Sequence, residues 1–381
     1  MPAPIDPRTQ AGHSPVRTVM ALTWACSLGT GVGWNGIFFI AESALRYTDR
    51  ANIIMAFALG IAYTGCAWCS APLHALVMRS RRLTTRGMLV TVSAAMGASC
   101  LLPFALPRGD DAQPTEPAFW VFAVGYLCLS GLLWPFIESF VSGGRQGAQL
   151  RRATALFNVT WASAVMAAMW VLAPVVENHP WAAIAGLGVL HLATIPLVLL
   201  LPREPRPHGS AAHAHSDDER ALYVKLRRAF RALLIVSYIM VAAVSPVLPT
   251  LMQRLEIDIT QKPLIASIWM TLRFLAFVTL WKWAGWHGKL TVAAWTAILL
   301  GIGFGLTFFA TAVPVLIIGL ATIGVGAGAA YFGALYYAME LDSANVDAGG
   351  KHEAIIGAGY AIGPIVAAAL LWVLSVIANP Q

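Results

Sequence analysis

A single arginine, Arg273, lies near the middle of the apolar run LIASIWMTLRFLAFVTLW. A charged side chain in such a run is costly in lipid and by default indicates a functional site. Trp269 and Phe277 stand four residues before and after it, so a helix places both rings on its face. A guanidinium flanked by rings can bind an anionic or aromatic ligand through paired hydrogen bonds and cation–π contacts. The alternative is a buried ion pair, or an arginine bonded to carbonyl groups, that locks helices together.

Carboxylates and further polar or aromatic side chains occur in similar runs. Glu138 lies about one turn inside the end of its run, where we expect it to bind a proton, to pair with Arg273, or to form a salt bridge with nearby basic residues. Glu340 and Glu353 flank the last short polar segment and are predicted to control access from that end. Asn158 and Trp161 are three residues apart and so share a helix face. The secondary candidates for ligand contact are Asn35, Trp134, Asn158, Trp161, Tyr238, Tyr331 and Tyr336.

The elements that hold these residues are predicted to be membrane helices. The chain has 381 residues, is 58% hydrophobic and only 11% charged, and has a mean hydropathy of +0.69. Soluble domains carry about 25% charged residues, so most of this surface is expected to face lipid. Runs long enough to span a bilayer, which needs about 20 residues, number eleven by our reading of the sequence. They are 17–45, 52–78, 87–107, 117–142, 152–176, 181–202, 229–253, 263–285, 289–311, 313–339 and 353–377.

One long polar break divides six of these runs from five. We therefore predict an all-α polytopic bundle in two parts, residues 17–202 and 229–381, with a cytoplasmic tail over 1–16 and a disordered cytoplasmic linker over 203–228. The linker contains His208, His213 and His215, which are too weak a pattern to predict a metal site. No catalytic triad, metal-ligand set or cofactor motif is evident, so neither an enzyme nor a cofactor is predicted.

The basic residues predict an orientation. Most of the 25 Lys and Arg residues fall on one side if the N-terminus is cytoplasmic, in agreement with the positive-inside rule. The C-terminus of an eleven-span chain then lies on the outer side. The net charge of +7 is explained by topology and by contacts with anionic lipids, so no nucleic acid partner is expected. We expect a monomer in the inner membrane of a bacterium.

Two further patterns concern the arrangement of the runs. Trp134-x-x-x-Glu138 recurs as Tyr336-x-x-x-Glu340 at the corresponding place in the second part. A basic loop follows the second run in HALVMRSRRLTTRG, and its members are Arg79, Arg81, Arg82 and Arg86. With the long central break, these patterns indicate two parallel halves, a known arrangement of transporters.

In this organisation the chain resembles the major facilitator superfamily. That family's loop between helices 2 and 3 typically reads G-x-L-a-D-R-x-G-R-R, and here the basic residues are present while the leading glycine and the acidic residue are absent. LFNVTWASA and HEAIIGAGYAIGP also look like stretches of bacterial members. The resemblance implies two six-helix halves around a central cavity, with the twelfth helix missing here, and a basic loop that acts as a gate.

The eleventh run contains a glycine pattern, Gly357, Gly359 and Gly363 followed by Pro364. It approaches the fingerprint of dinucleotide-binding loops, but no strand precedes it and the surrounding run is apolar. We therefore predict that these glycines allow neighbouring helices to approach closely. Pro246 and Pro249 predict a bend in the seventh run, and Pro364 predicts one in the eleventh.

The leading hypothesis is a secondary active or facilitative transporter that moves an anionic or aromatic small molecule by alternating access, with coupling to protons through Glu138. Two alternatives remain. One is the efflux of amphipathic compounds, which an aromatic and charge-poor cavity would suit. The other is a non-transporting assembly or sensor protein derived from the transporter fold.

Overall fold

The computed structural model describes residues 14–80, 83–109, 113–145, 147–206, 216–341 and 346–378, and the regular elements in these ranges are helices. In chain order they are α1 (Val16–Gly31), α2 (Ile37–Leu45), α3 (Asp49–Ser80), α4 (Thr85–Leu101), α5 (Glu116–Ser142), α6 (Gly147–Leu172), α7 (Pro180–Leu199), α8 (Asp217–Val244), α9 (Leu248–Arg254), α10 (Lys262–Lys282), α11 (Leu290–Phe308), α12 (Val313–Leu341) and α13 (Val346–Ala378). A π-helical segment, Val32–Gly36, joins α1 to α2.

These helices confirm the prediction of an all-α polytopic membrane protein. Within the described ranges, nine helices are long and apolar enough to cross a membrane, and the number is ten if α8 and α9, which are bent by 50°, count as one span. The helical run from α1 through the π segment to α2 covers the first predicted span. Each of the eleven predicted runs therefore coincides with a helical run. Large apolar side chains such as Trp68 and Trp372 lie exposed on the outside, 68% and 67% accessible.

The bend between α8 and α9 falls where the prolines predict it. Helix α8 ends at Val244, and α9 begins at Leu248 with Pro249 in its first turn. Proline lacks the backbone N–H that continues a helix, so Pro246 interrupts the hydrogen-bond ladder there. Pro364 behaves differently, since α13 continues through it without a break.

The predicted linker extends too far toward the C-terminus. Helix α8 begins at Asp217, where the Ser216 side chain accepts a hydrogen bond from the backbone of Glu219 and the Glu219 side chain accepts one from the backbone of Ser216. This capping box starts a helix in a charged stretch that hydropathy alone assigns to a loop. His208, His213 and His215 lie outside the described residues.

The eleventh span connects the two halves. Helix α13 packs on α3 and α5 of the first half and on α8 of the second, while α10 packs on α6. A Cβ atom at Gly357 would lie 2.5 Å from Thr64 of α3, and one at Gly359 or Gly363 would lie 2.5 Å from Tyr238 or Ala242 of α8. These glycines therefore permit the close approach of α13 to its neighbours on both sides.

The two ends of the bundle differ in charge. At one end the Arg86 guanidinium donates to the carbonyl oxygens of Leu199 and Leu201, and Arg145 donates to that of Ser14 at 2.8 Å. We call this the basic end. Arg79 lies in the last turn of α3, while Arg81 and Arg82 lie outside the described residues.

At the other end, ion pairs connect the two halves. The Lys262 ammonium of α10 lies 2.5 Å from a carboxylate oxygen of Glu42 in α2. Arg254 lies 3.6 Å from Asp49 of α3. We call this the Glu42 end. The run from α1 to α2 extends from the basic end to this one.

Candidate functional site

A cavity of about 80 Å³ lies between the two halves. One buried water needs about 10–15 Å³ by the same measure, so this space can hold a small molecule. Its walls come from both halves, and the lining residues recur at helical spacing. The series are Ser27, Thr30 and Trp34 from α1 and the π segment, Phe157, Trp161 and Val165 from α6, and Glu353, Ile356 and Tyr360 from α13.

Arg273 of α10 projects into this cavity and is only 5% exposed. Its Nη2 atom donates to the Tyr238 hydroxyl at 2.9 Å, while its Nε atom is buried without a hydrogen-bond partner. Within the described part of the chain, no carboxylate forms an ion pair with this guanidinium. A buried charge normally has an opposite partner, so the arginine has unused capacity to bind an anion.

Aromatic rings surround the guanidinium. The distances from its central carbon to the ring centroids are 4.7 Å for Trp161, 5.0 Å for Tyr331, 5.4 Å for Tyr238, and 5.7 Å for both Trp269 and Phe277. Cation–π contacts act within about 6 Å of the centroid. The rings therefore stabilise the charge without neutralising it. Trp269 and Phe277 lie where the four-residue spacing places them.

Two carboxylates line the same cavity. Glu353 is 5% exposed and accepts a hydrogen bond from the Tyr63 hydroxyl. Glu138 is half-buried, and one of its oxygens lies 2.7 Å from the point where a Cβ atom of Gly349 would stand. Neither carboxylate forms an ion pair with Arg273, so the predicted pairing of Glu138 with Arg273 is wrong for this conformation. Arg145, an alternative partner for Glu138, instead donates to the carbonyls of Phe140 and Val141.

A second group of rings forms another wall of the cavity. Trp34 stacks on Tyr360 with centroids 4.2 Å apart and planes 9° apart. Tyr63 meets Trp34 edge-on at 5.0 Å, and Tyr238 meets Tyr360 at 5.3 Å. The indole N–H of Trp34 donates to Ser130 at 3.2 Å, which fixes its orientation. Through Tyr238, this wall is continuous with the rings around Arg273.

The structure brings most of the predicted ligand-contact residues together. Those that line the cavity are Arg273, Trp269, Asn35, Trp134, Trp161, Tyr238 and Tyr331. Glu138 and Glu353, predicted to bind a proton or to control access, line it as well. Asn158 lies behind the lining, where its side-chain oxygen accepts a hydrogen bond from Trp161 Nε1 at 3.1 Å. Tyr336 lies away from the cavity and stacks on His287 at 4.5 Å. The side chain of Glu340 lies outside the described residues.

Trp34, Tyr63 and Tyr360 are not predicted from the sequence, because aromatic residues are common in membrane helices. Glu353 is predicted at the edge of a loop, whereas α13 begins at Val346 and holds Glu353 about two turns inside. The signal was present, since Glu353, Ile356 and Tyr360 follow the i, i+3, i+7 spacing of one helix face. Among the described residues, no group of three or more His, Cys, Asp and Glu side chains could hold a metal ion.

No protein-family model and no curated protein sequence matches this chain. Comparison of structures does find similar proteins. The chain is similar to a mutant form of the nucleoside transporter NupG, with 15% identity, a TM-score of 0.64 and coverage of 92% of this chain and 90% of that one. It is similar to the human organic anion transporter MFSD10 (TETRAN), with 16% identity, a TM-score of 0.64 and coverage of 94% of both chains. It is also similar to FucP, a Major Facilitator Superfamily transporter in the outward conformation, with 13% identity, a TM-score of 0.62 and coverage of 96% and 93%.

Proposed function

Because the chain has the fold of major facilitator superfamily transporters, we propose that it moves a small molecule across a membrane by alternating access. The two halves would rock around the cavity and expose it to each side in turn. The observation that carries this proposal is the state of Arg273: buried, surrounded by rings, and without an ion-pair partner in the described residues. An arginine in this state is prepared to receive an anionic group of a ligand.

The substrate class follows from this arginine. Guanidinium binds a carboxylate or phosphate through two parallel hydrogen bonds, and the Nε atom of Arg273 is free to supply one of them. The surrounding rings suit an apolar or aromatic body attached to the anion. The structurally similar proteins include transporters named for nucleosides and for organic anions, so the fold alone leaves the substrate open.

Coupling to protons is assigned to Glu138 and Glu353. When all three groups are charged, two carboxylates and one guanidinium leave the cavity with one surplus negative charge. Such a charge is expensive in a low-dielectric site, and a proton bound to either carboxylate removes it. An empty cavity that holds one proton is therefore electrically balanced, which makes the proton part of the transport cycle.

The orientation follows from the charged ends. We place the basic end in the cytoplasm of a bacterium and the Glu42 end outside the inner membrane, in line with the positive-inside rule. The ion pair between Lys262 and Glu42 then closes the outer side of the cavity. To expose the cavity to the outside, the protein must separate this pair.

Two stages of experiment test this function. The purified protein is first unfolded thermally in the presence of anionic, sugar and amphipathic compounds, and a stabilising compound is then supplied in radiolabelled form to proteoliposomes. We expect stabilisation and uptake of an anionic compound, with both lost in Arg273→Gln. Stabilisation by amphipathic compounds that persists in Arg273→Gln would support efflux of such compounds. A well-folded protein that responds to no compound would support the non-transporting alternative.

A further inference from the structure

The cavity has two charged poles, and only one of them is explained by an anionic substrate. At the first pole, Arg273 has no carboxylate partner within the described residues. At the second, Glu138 of α5 faces the same cavity. Its side chain has neither an ion-pair nor a hydrogen-bond partner among the residues that the structure describes. The two unpaired charges have opposite signs.

From this geometry we propose that the substrate is zwitterionic, with its carboxylate at Arg273 and its ammonium group at Glu138. This inference rests on the proposed transport function and names the substrate class of the same cavity. Such a molecule supplies a partner to each pole at once. An anion without an amine would satisfy Arg273 and leave the Glu138 charge uncompensated in a low-dielectric site.

Glu138 is better suited than Glu353 to bind the ammonium group. The Glu353 carboxylate already accepts a hydrogen bond from Tyr63 and is almost completely buried. Glu138 is half-buried and has no such hydrogen bond among the described residues, and the glycine at position 349 lets one of its carboxylate oxygens pack close to α13. Glu138 is therefore the carboxylate that is free to receive the ammonium group, while Glu353 already has a partner within the protein.

Charge balance also favours a zwitterion. A cavity in which Arg273 and one carboxylate are charged and the other carboxylate is protonated is neutral, and a zwitterion adds no net charge to it. A simple anion would bring one negative charge, which only a second proton could balance. The net charge of the cavity therefore stays the same when a zwitterion binds.

The space between the poles is lined by rings that can hold an apolar body. Trp134 lies one turn from Glu138 on α5, and its ring meets that of Phe157 at 6.3 Å. Phe157 lies one turn from Trp161 on α6, and Trp161 covers the Arg273 guanidinium. One continuous aromatic wall therefore extends from the acidic pole to the basic one.

Matched compounds separate the two poles experimentally. Each set contains a zwitterion, its deaminated acid and its decarboxylated amine. The four sets are phenylalanine with 3-phenylpropionate and 2-phenylethylamine; leucine with 4-methylpentanoate and 3-methylbutylamine; alanine with propionate and ethylamine; and 4-aminobutyrate with butyrate and propylamine. Dissociation constants are measured with purified wild-type protein and with the Glu138→Gln, Glu353→Gln and Arg273→Gln variants.

In at least one set, we expect the zwitterion to bind the wild-type protein about tenfold or more tightly than either partner, as expected for a hydrogen bond to a charged group. Glu138→Gln should abolish the preference over the acid, while the acid continues to bind through Arg273, which also shows that this variant is folded. Glu353→Gln should still bind the zwitterion more tightly than the acid.

Three results would overturn the proposal. The first is a wild-type protein that binds the acid as tightly as the zwitterion in every set, or that binds no zwitterion. The second is a Glu138→Gln variant that still binds the zwitterion more tightly than the deaminated acid. The third is a loss of this preference over the acid in Glu353→Gln while Glu138→Gln retains it. Binding of amine-free acids that depends on Arg273 would leave the proposed transport of anions intact, so failure of this inference is distinct from failure of that function.

Discussion

Helix α10 carries two buried cations, Lys262 in its first turn and Arg273 near its middle, in contrasting environments. Both side chains reach the interface between the halves, and the two residues are 3% and 5% exposed. Lys262 has a carboxylate oxygen of Glu42 at 2.5 Å. Arg273, about 16 Å further along the helix, has rings and a tyrosine hydroxyl around it but no ion pair within the described residues.

This contrast separates a structural charge from a ligand-binding one. The charge of Lys262 is paired with a carboxylate of the protein itself, so removal of this charge should lower the free energy of unfolding. The charge of Arg273 is available to a ligand, so removal of this charge should lower the ligand affinity. Four substitutions test this distinction, beginning with the largest expected effect.

Replacement of Lys262 should destabilise the protein most. In Lys262→Met the half-buried Glu42 carboxylate loses its partner, and breaking one side of a buried pair costs up to about 3–5 kcal/mol of unfolding free energy. Denaturation of the detergent-purified variant measures this change. Addition of Glu42→Gln to the same chain should recover much of the loss. A single variant as stable as the wild-type protein would show that the pair is not structural.

Replacement of Arg273 should lower the ligand affinity strongly and the stability only slightly. In Arg273→Gln the affinity for anionic ligands should fall by about a hundredfold, since truncating one partner of a buried charge pair costs about 2–5 kcal/mol. The unfolding free energy without ligand should change by less than about 1 kcal/mol, because in the part of the chain that the structure describes the substitution removes one neutral hydrogen-bond partner, Tyr238, and no ion pair. Titration and denaturation of the same preparation supply both values. A large loss of stability would instead indicate a structural arginine.

The aromatic surroundings should contribute less. In Trp161→Leu the ring nearest to the guanidinium is lost, and anion affinity should fall by a factor that corresponds to about 0.5–2 kcal/mol. Trp68→Leu is the matched control, because that indole is 68% exposed on the outside of the bundle. Equal effects of the two substitutions on ligand titrations would contradict a specific role for the ring.

The exposed ion pair at the Glu42 end should matter least. Arg254 lies 3.6 Å from Asp49, but its side chain is 66% exposed. Exposed pairs contribute about 0–1 kcal/mol, so Arg254→Gln should lower the unfolding free energy by no more than that amount. Denaturation of Arg254→Gln and Lys262→Met under the same conditions compares their unfolding free energies directly. A loss as large as that of Lys262→Met would show that burial does not separate the two pairs.

Much of the fold could be predicted from hydropathy, since a bilayer requires long apolar helices. All eleven runs have helical counterparts, and the bend at Pro246 follows from the missing N–H of proline. The start of α8 could not be found in this way. Its first turns are charged, and they form a helix because of a capping box and packing rather than hydrophobicity.

The candidate site was only partly predictable for a related reason. Arg273 stands out because a charge in an apolar run is rare. Trp34, Tyr63 and Tyr360 do not stand out, since rings fill many positions in membrane helices without touching a cavity. Which ring faces the cavity depends on how helices of the two halves rotate and pack, and this information is not local to any one run.

The most direct test of the account is the dissociation constant of an anionic ligand for the wild-type protein and for Arg273→Gln, with thermal unfolding as the readout. A ligand at a hundredfold excess over its dissociation constant adds about 2.7 kcal/mol to the stability of the folded state. We expect this stabilisation for the wild-type protein and its absence in Arg273→Gln. Equal stabilisation of both proteins, or no response of the folded wild-type protein to any anionic compound, would contradict it.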